Sequence, residues 1–313
     1  QLLLDKLVEV SNWSASAFTI PAIPALAWVC LTLATLVIIL PRGLLPRVAA
    51  VMLCLPLLSY GLTTRATHWQ VNVLDVGQGL SVVVSRHNDA LLYDVGAAYP
   101  SGFNIADSVL TPYLHSHGMK HVGILVLSHF DNDHSGSEPA LRRSMSILRT
   151  YTTKDKCRYG WQMYWQGLQV SALWPDDPTL HNDNNGSCVL RITDGHTSVL
   201  LTGDIDASVE RKLVQHYGDA LQSQILIAPH HGSNTSSSAE FITAVAPQHV
   251  IFSQGFMNRW GFPKNEVVTR YQQTNAQLYR TSEDGQIQVT VEDSGIKVRT
   301  FRHDMYPYWY ANH

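Results

Sequence analysis

Along the first fifth of the chain apolar residues run almost unbroken, and beyond it they fall into short alternating or continuous runs separated by turn residues. In residues 1–10, Leu2, Leu3, Leu4, Leu7, Val8 and Val10 surround Asp5, Lys6 and Glu9, a pattern that predicts a short amphipathic helix lying on a membrane surface or on other helices. Residues 18–40 carry no charge and have the length of a tilted bilayer-spanning helix. Pro41, Arg42, Gly43, Pro46 and Arg47 interrupt the run, and a shorter apolar stretch follows over 48–62. The pattern predicts a transmembrane helical hairpin. Arg42 and Arg47 in its connection place that connection in the cytoplasm and everything after residue 64 on the outer side.

From Trp69 the period changes to two. Trp69, Val71, Val73 alternate with polar positions up to Val76, then Gly77-Gln78-Gly79 turns the chain into a second apolar run at 80–84, which predicts a β-hairpin. Helices are expected over 106–116, 137–149 and 207–217, and two strands around Ser294-Gly295 over 287–301. The aromatic tail 305–310 is expected at the membrane interface or packed on the domain. The expected division is therefore a membrane segment over 1–64, an α/β domain over 65–303 and a tail over 304–313.

Composition sharpens this picture in two places. The 313 residues carry a formal charge of -3, so no basic excess announces a nucleic acid. The chain begins without Met and is expected to be cut from a longer one. Of four cysteines, Cys30 and Cys54 lie in the apolar segment, while Cys157 and Cys188 flank a hairpin-like region. In an oxidising compartment that second pair is expected to form a disulfide.

Candidate chemistry concentrates where apolar runs stop. Leu125-Val126-Leu127 leads into Ser128-His129-Phe130-Asp131-Asn132-Asp133-His134, which puts two imidazoles and two carboxylates in six residues. His129 and Asp131 lie two apart and face one way in an extended segment, whereas Asp133 and His134 follow in a turn and can face a second ion. Three more units have the same form: Leu91-Leu92-Tyr93-Asp94, Leu200-Leu201-Thr202-Gly203-Asp204, and Leu226-Ile227-Ala228-Pro229-His230-His231. Function in layered α/β proteins gathers at such strand ends. His115, His117 and His121 lack that context and are read as surface or packing residues. Arg142, Arg143 and Arg149 are read as a solvated face, and Trp161 and Trp165 as core.

The His129-to-His134 loop, the lone Asp204 and the late histidines resemble the metallo-β-lactamase superfamily, with Asp131 standing where the superfamily's second histidine usually is. Together with Leu74-Asp75-Val76-Gly77-Gln78-Gly79 and Pro229-His230-His231-Gly232-Ser233, the set is similar to the C-terminal domain of the ComEC family of DNA-internalisation proteins. The resemblance covers residues 69–301 and implies an αββα sandwich that follows the last helices of a multi-pass channel in the inner membrane. It implies two divalent ions, Mn²⁺ or Zn²⁺: His129 and Asp131 on one, Asp133, His134 and His230 on the other, and Asp204 shared. Asp75 is expected near them, and His231 holds a phosphate oxygen, protonates the leaving oxygen or sits behind the ligands. Where the family has a third histidine, Asn184, Asn185, Ser187 or His181 would have to serve. Leu80 stands where the family usually has Asp, and Phe262 where it commonly has His.

The expected function is a metal-dependent nuclease that degrades the DNA strand not imported during natural transformation. Its expected partners are single-stranded DNA, the membrane, the chain's own channel domain and a periplasmic DNA receptor. Two other readings stay open: a DNA guide with a decayed metal site, and an envelope phosphodiesterase of the phosphorylcholine esterase type.

Overall fold

The computed structural model describes residue 6 and residues 25–41, 46–62, 68–177 and 183–305, in two units. The first holds the N-terminal helices Ala25–Ile39 and Val48–Leu62, each of 15 residues. They meet through Ala34, Val37 and Ala50, small or slim side chains that let the backbones approach, and leave Leu26, Val29, Leu33, Leu36, Val51 and Met52 exposed. At 1.5 Å per residue, 15 residues rise about 22 Å, short of the roughly 30 Å of a bilayer core. Among the described residues no helix is long and apolar enough to cross a membrane, so the expected spanning hairpin is seen only as this shorter pair. The expected amphipathic start, residues 18–24 of the expected first span, His181 and the tail beyond Met305 lie outside the described residues.

The second unit is a sandwich of two seven-stranded sheets. The first sheet contains β1 (Trp69–Val73), β2 (Val82–Arg86), β3 (Asp89–Tyr93), β4 (Ile124–Leu127) and β5 (Thr150–Thr152), with the late strands β13 (Ile287–Glu292) and β14 (Gly295–Thr300) added beside β1. The second is built from β6 (Gln162–Trp165), β7 (Leu168–Trp174), β8 (Val189–Thr193), β9 (Ser198–Leu201), β10 (Ile225–Ile227), β11 (His249–Phe252) and β12 (Gln277–Arg280).

Alternation along the strands decides what each face covers. Val199, Leu201, Ile225, Ile227 and Ile251 point between the sheets, where they meet Val71, Val73, Val82, Val84, Leu91 and Val126 of the first sheet. Their neighbours Leu200, Leu226, Val250 and Phe252 point outward beneath helices Ala207–Tyr217, Ala239–Val245 and Asn265–Gln272, against Val209, Leu213, Phe241, Val267 and Tyr271. Both faces of β9 to β11 are therefore apolar, which is why these strands read as continuous runs and not as alternations. Trp165 is buried and Trp161 packs on the core, as the sequence suggests, while Tyr164 is exposed. Cys157 and Cys188, both buried, are joined in a disulfide with Cα atoms 5.7 Å apart.

Strand direction gathers the loops. β3, β4 and β5 are mutually parallel in the first sheet, as are β9 to β12 in the second. Parallel neighbours end on the same edge, so the residues following β3 and β4, and those following β9, β10 and β11, collect in two adjacent sets.

The loop after β10 is tied down by a buried carboxylate. Glu210 on helix Ala207–Tyr217 accepts hydrogen bonds from the backbone N–H of Ser237 at 2.5 Å and of Ser238 at 2.7 Å. Glu210→Ala leaves the buried Ser237 donor and the partly buried Ser238 donor without this partner and is expected to lower the unfolding free energy by about 3 kcal/mol. Urea denaturation of the two proteins measures this, and an unchanged midpoint would refute it.

Candidate metal centre

The centre begins with a buried carboxylate under the histidines. Asp94, just past β3 and in a left-handed backbone conformation (φ 61°), accepts hydrogen bonds from the Ser128 N–H and hydroxyl, both at 2.7 Å. Its Oδ2 also lies 2.8 Å from His134 Nδ1. A ring nitrogen held by a carboxylate donates its proton there and turns the other nitrogen, Nε2, outward as a lone pair. His129 is set in the same way, with Nδ1 at 2.9 Å from Ser128 Oγ and 3.3 Å from Ser187 Oγ.

Backbone packing holds these loops close. The helix Asn132–Ser135 carries Asp133 and His134, and the Asp133 carbonyl accepts from the Leu80 N–H at 3.1 Å. A Cβ on Gly79 would come within 2.3 Å of that carbonyl oxygen, so the glycine after Gln78 is required by close approach. Leu80 turns its side chain into the core between the sheets. Gly203 meets the same constraint beside Ser187, whose hydroxyl accepts from the Asp204 N–H at 3.0 Å. After β10, His230 and His231 both adopt positive φ (49° and 54°), a strained turn of the kind found at functional sites. It aims both rings at Asp204, with His231 Nδ1 anchored 2.7 Å from the Ser253 carbonyl.

The liganding atoms converge. Asp204 Oδ1 lies 3.2 Å from His134 Nε2, and Oδ2 lies 3.5 Å from His231 Nε2 and 3.8 Å from His230 Nε2. His231 Nε2 is 3.5 Å from Asp133 Oδ2 and 3.3 Å from His134 Nε2. Two groups each have all their ligand atoms within 4.8 Å: His129, His134 and Asp204, and Asp133, His134 and His231. Lone-pair atoms turned on one another at this spacing repel unless a proton or a cation lies between them. His129 Nε2 and Asp204 Oδ1 are buried and have no hydrogen-bond partner among the described residues. Such atoms, with imidazole and carboxylate donors around them, fit a divalent cation.

The charges agree with that fit. Burial works to raise the Asp204 carboxyl, but the imidazolium charges of His134 and His231 outweigh it and hold the group well below the usual carboxylate range. Burial likewise opposes charge on His134 and His231, and is outweighed mainly by Asp204, which raises His134 well above its ordinary value and His231 to about 9. Burial, aided by the charge on His134, lowers His129 instead. Metal uptake must therefore displace protons from this cluster.

A family model of the metallo-beta-lactamase superfamily matches residues 74–254, a segment that holds every residue of both groups. The chain belongs to the metallo-beta-lactamase superfamily. Within the superfamily it is ComEC-like, through its similarity to competence proteins. It is 35% identical over 293 residues to "Competence protein ComA" of Neisseria gonorrhoeae, covering 91% of this chain and 41% of that one. It is 33% identical over 270 residues to "Recombination protein 2" of Haemophilus influenzae (83% and 33%), and 37% identical over 251 residues to "Uncharacterized protein YcaI" of Escherichia coli (79% and 33%). The chain thus spans about a third to two-fifths of the length of these relatives.

Against the superfamily pattern, the structure places the expected residues unequally. His129, Asp133, His134 and Asp204 come together, and His231 joins Asp133 and His134 where His230 was expected. His230, more exposed than His231, sits at the rim with Nε2 3.4 Å from the Asn184 amide. Asp131 is exposed, belongs to neither group and lies 3.7 Å from His129 Nε2. Asp75 is also in neither group and pairs with Arg302 at 2.9 Å. Asn185 is bound to Asp206, and Ser187 supports Asp204 and His129 from behind. Asp94 has the strand-then-carboxylate form of the other units, but nothing in the sequence marks it as the support of His134 and not a ligand.

Proposed function

We propose that this ComEC-like domain is a metal-dependent phosphodiesterase that cuts single-stranded DNA in the course of DNA uptake. The observation that carries the reading is the convergence of His129, His134 and Asp204 with Asp133 and His231, including two buried ligand atoms that have no hydrogen-bond partner among the described residues. The superfamily is one of metal-dependent hydrolases, and relatives of this chain bear the name of competence proteins.

A ring nitrogen has one lone pair, so His134 serves one ion. Asp133, His134 and His231 would hold that ion and His129 with Asp131 a second, with Asp204 close to both sets. Such ions, when bound, supply an acidified water and positive charge against phosphate oxygens. The chain's own residues do the rest. Asp94 and Ser128 fix the tautomer and orientation of the imidazoles, and the strained His230-His231 turn divides two neighbouring rings between two tasks. His231 faces the carboxylates, whereas His230, kept largely neutral by burial, stands at the rim with Asn184, where the two can hydrogen-bond a phosphate oxygen.

The wider setting belongs to the same proposal. The domain would lie on the extracytoplasmic side of the inner membrane, attached to its channel and receiving DNA from a periplasmic receptor. The buried disulfide suits an oxidising compartment, and the apolar outer faces of the helical pair suit lipid or further helices.

The purified chain incubated with Mn²⁺ or Zn²⁺ is expected to cut end-labelled single-stranded DNA and to stop when a chelator is added. Bound metal with cleavage of phosphorylcholine esters but not DNA would favour the envelope phosphodiesterase. A protein that retains almost no metal on elemental analysis would favour the DNA guide.

A further inference from the structure

Next to the metal centre two aromatic rings, the half-buried Phe262 and the exposed Trp260, each carry a cation. The Phe262 ring lies 5.9 Å from the His230 ring and 6.5 Å from that of His231. Trp260 continues the row at 6.4 Å from Phe262 with the planes 13° apart, and is 42% exposed. The Arg259 guanidinium sits 4.2 Å from the Trp260 centroid, and Lys264 Nζ sits 5.7 Å from that of Phe262.

This loop is built rather than loose. Asn258 donates from its amide to the carbonyls of Gly255 and Phe262 and accepts from the Phe262 N–H at 2.9 Å. The Lys264 N–H donates to the Gly232 carbonyl at 2.9 Å, fixing the loop to the His230-His231 turn. On the other arm of the centre, Phe130 is 48% exposed between His129 and Asp131, with Lys154 Nζ 4.3 Å from its centroid. Core packing does not explain two nearly parallel rings, one of them exposed, beside the proposed hydrolytic centre. Such faces with cations over them match a chain of alternating bases and phosphates.

We propose that Trp260 and Phe262 form a stacking platform for bases flanking the scissile phosphate, with Arg259 and Lys264 meeting the adjoining phosphates. This rests on the reading of the centre as a phosphodiesterase and adds its selectivity: a paired base has its faces covered by its neighbours, so the platform accepts single strands. A membrane surface is the lesser fit, because the rings form one ordered stack ending at His231 and not separate anchors.

The test is one of binding, so it stands whether or not the protein cuts DNA. A nuclease-resistant phosphorothioate oligonucleotide and an abasic strand with the same backbone are titrated against the full chain by fluorescence polarisation. The unaltered protein is expected to bind the base-bearing strand about tenfold more tightly, Trp260→Ala to bind the two equally, and Trp260→Phe to regain most of the preference. The inference is overturned if the unaltered protein shows no preference, or if Trp260→Ala keeps it. It is also overturned if Trp260→Phe, folded as judged by circular dichroism, fails to restore it. It is likewise overturned if Trp260→Ala changes only co-sedimentation with phosphatidylglycerol vesicles. Absence of cleavage with the base preference intact would count against the nuclease reading and leave the platform standing.

Discussion

Asp204→Asn is expected to lower the amount of divalent metal the protein retains and, on the proposed function, to slow phosphodiester hydrolysis roughly a thousandfold. The substitution keeps shape and removes only charge. Asp204 is the carboxylate that both groups approach: Oδ1 lies 3.2 Å from His134 Nε2, and Oδ2 lies 3.5 Å from His231 Nε2. Its backbone is held independently by Ser187, so the loop should survive the change. A neutral amide would offer a cation one oxygen donor in place of two and no charge. Elemental analysis gives the metal stoichiometry separately from any activity, and a variant with unaltered metal content and turnover would show that Asp204 does not help to hold metal.

Asp94→Asn should weaken metal binding about ten- to a hundredfold, although Asp94 belongs to neither ligand group. If the asparagine carbonyl keeps the Ser128 N–H bond, its amide N–H₂ faces His134 Nδ1, where the carboxylate stood. Donor then meets donor unless His134 moves its proton to Nε2, the atom that must offer a lone pair. The imidazole is thus put into the wrong tautomer with its position almost unchanged. Competition with a chromophoric chelator measures the affinity, and urea denaturation of the metal-free proteins separates this from unfolding. Equal affinity in both proteins would make Asp94 a packing residue.

What could be read in the chain differs by element. The strand pair around Ser294-Gly295 and the helix 207–217 follow from local period and turn chemistry, and the structure has them at Ile287–Glu292, Gly295–Thr300 and Ala207–Tyr217. The helix expected over 137–149 stops at Ser144, because the next residues are drawn into pairing: Ser146 and Ile147 lie beside His121 and Val122. The basic residues there, Arg142, Arg143 and Arg149, are exposed as a solvated face would be, with Arg142 paired to Glu138 at 2.6 Å. Cys157 and Cys188 were legible as a pair because only they stand outside the apolar segment.

The sequence alone determined the kind of residue at each strand end, since an apolar run of strand length followed by His or Asp survives any packing of the strands. Tertiary structure alone decided which of those groups meet. Two parallel arrays had to bring their ends together before Asp94 could support His134 and Asp204 could meet His134 and His231 together, while Asp75 was drawn off to Arg302. Between adjacent histidines the choice was finer still. Both rings reach towards Asp204 from left-handed backbone angles, and contact with the Ser253 carbonyl just past the neighbouring strand holds His231 as the more buried of the two.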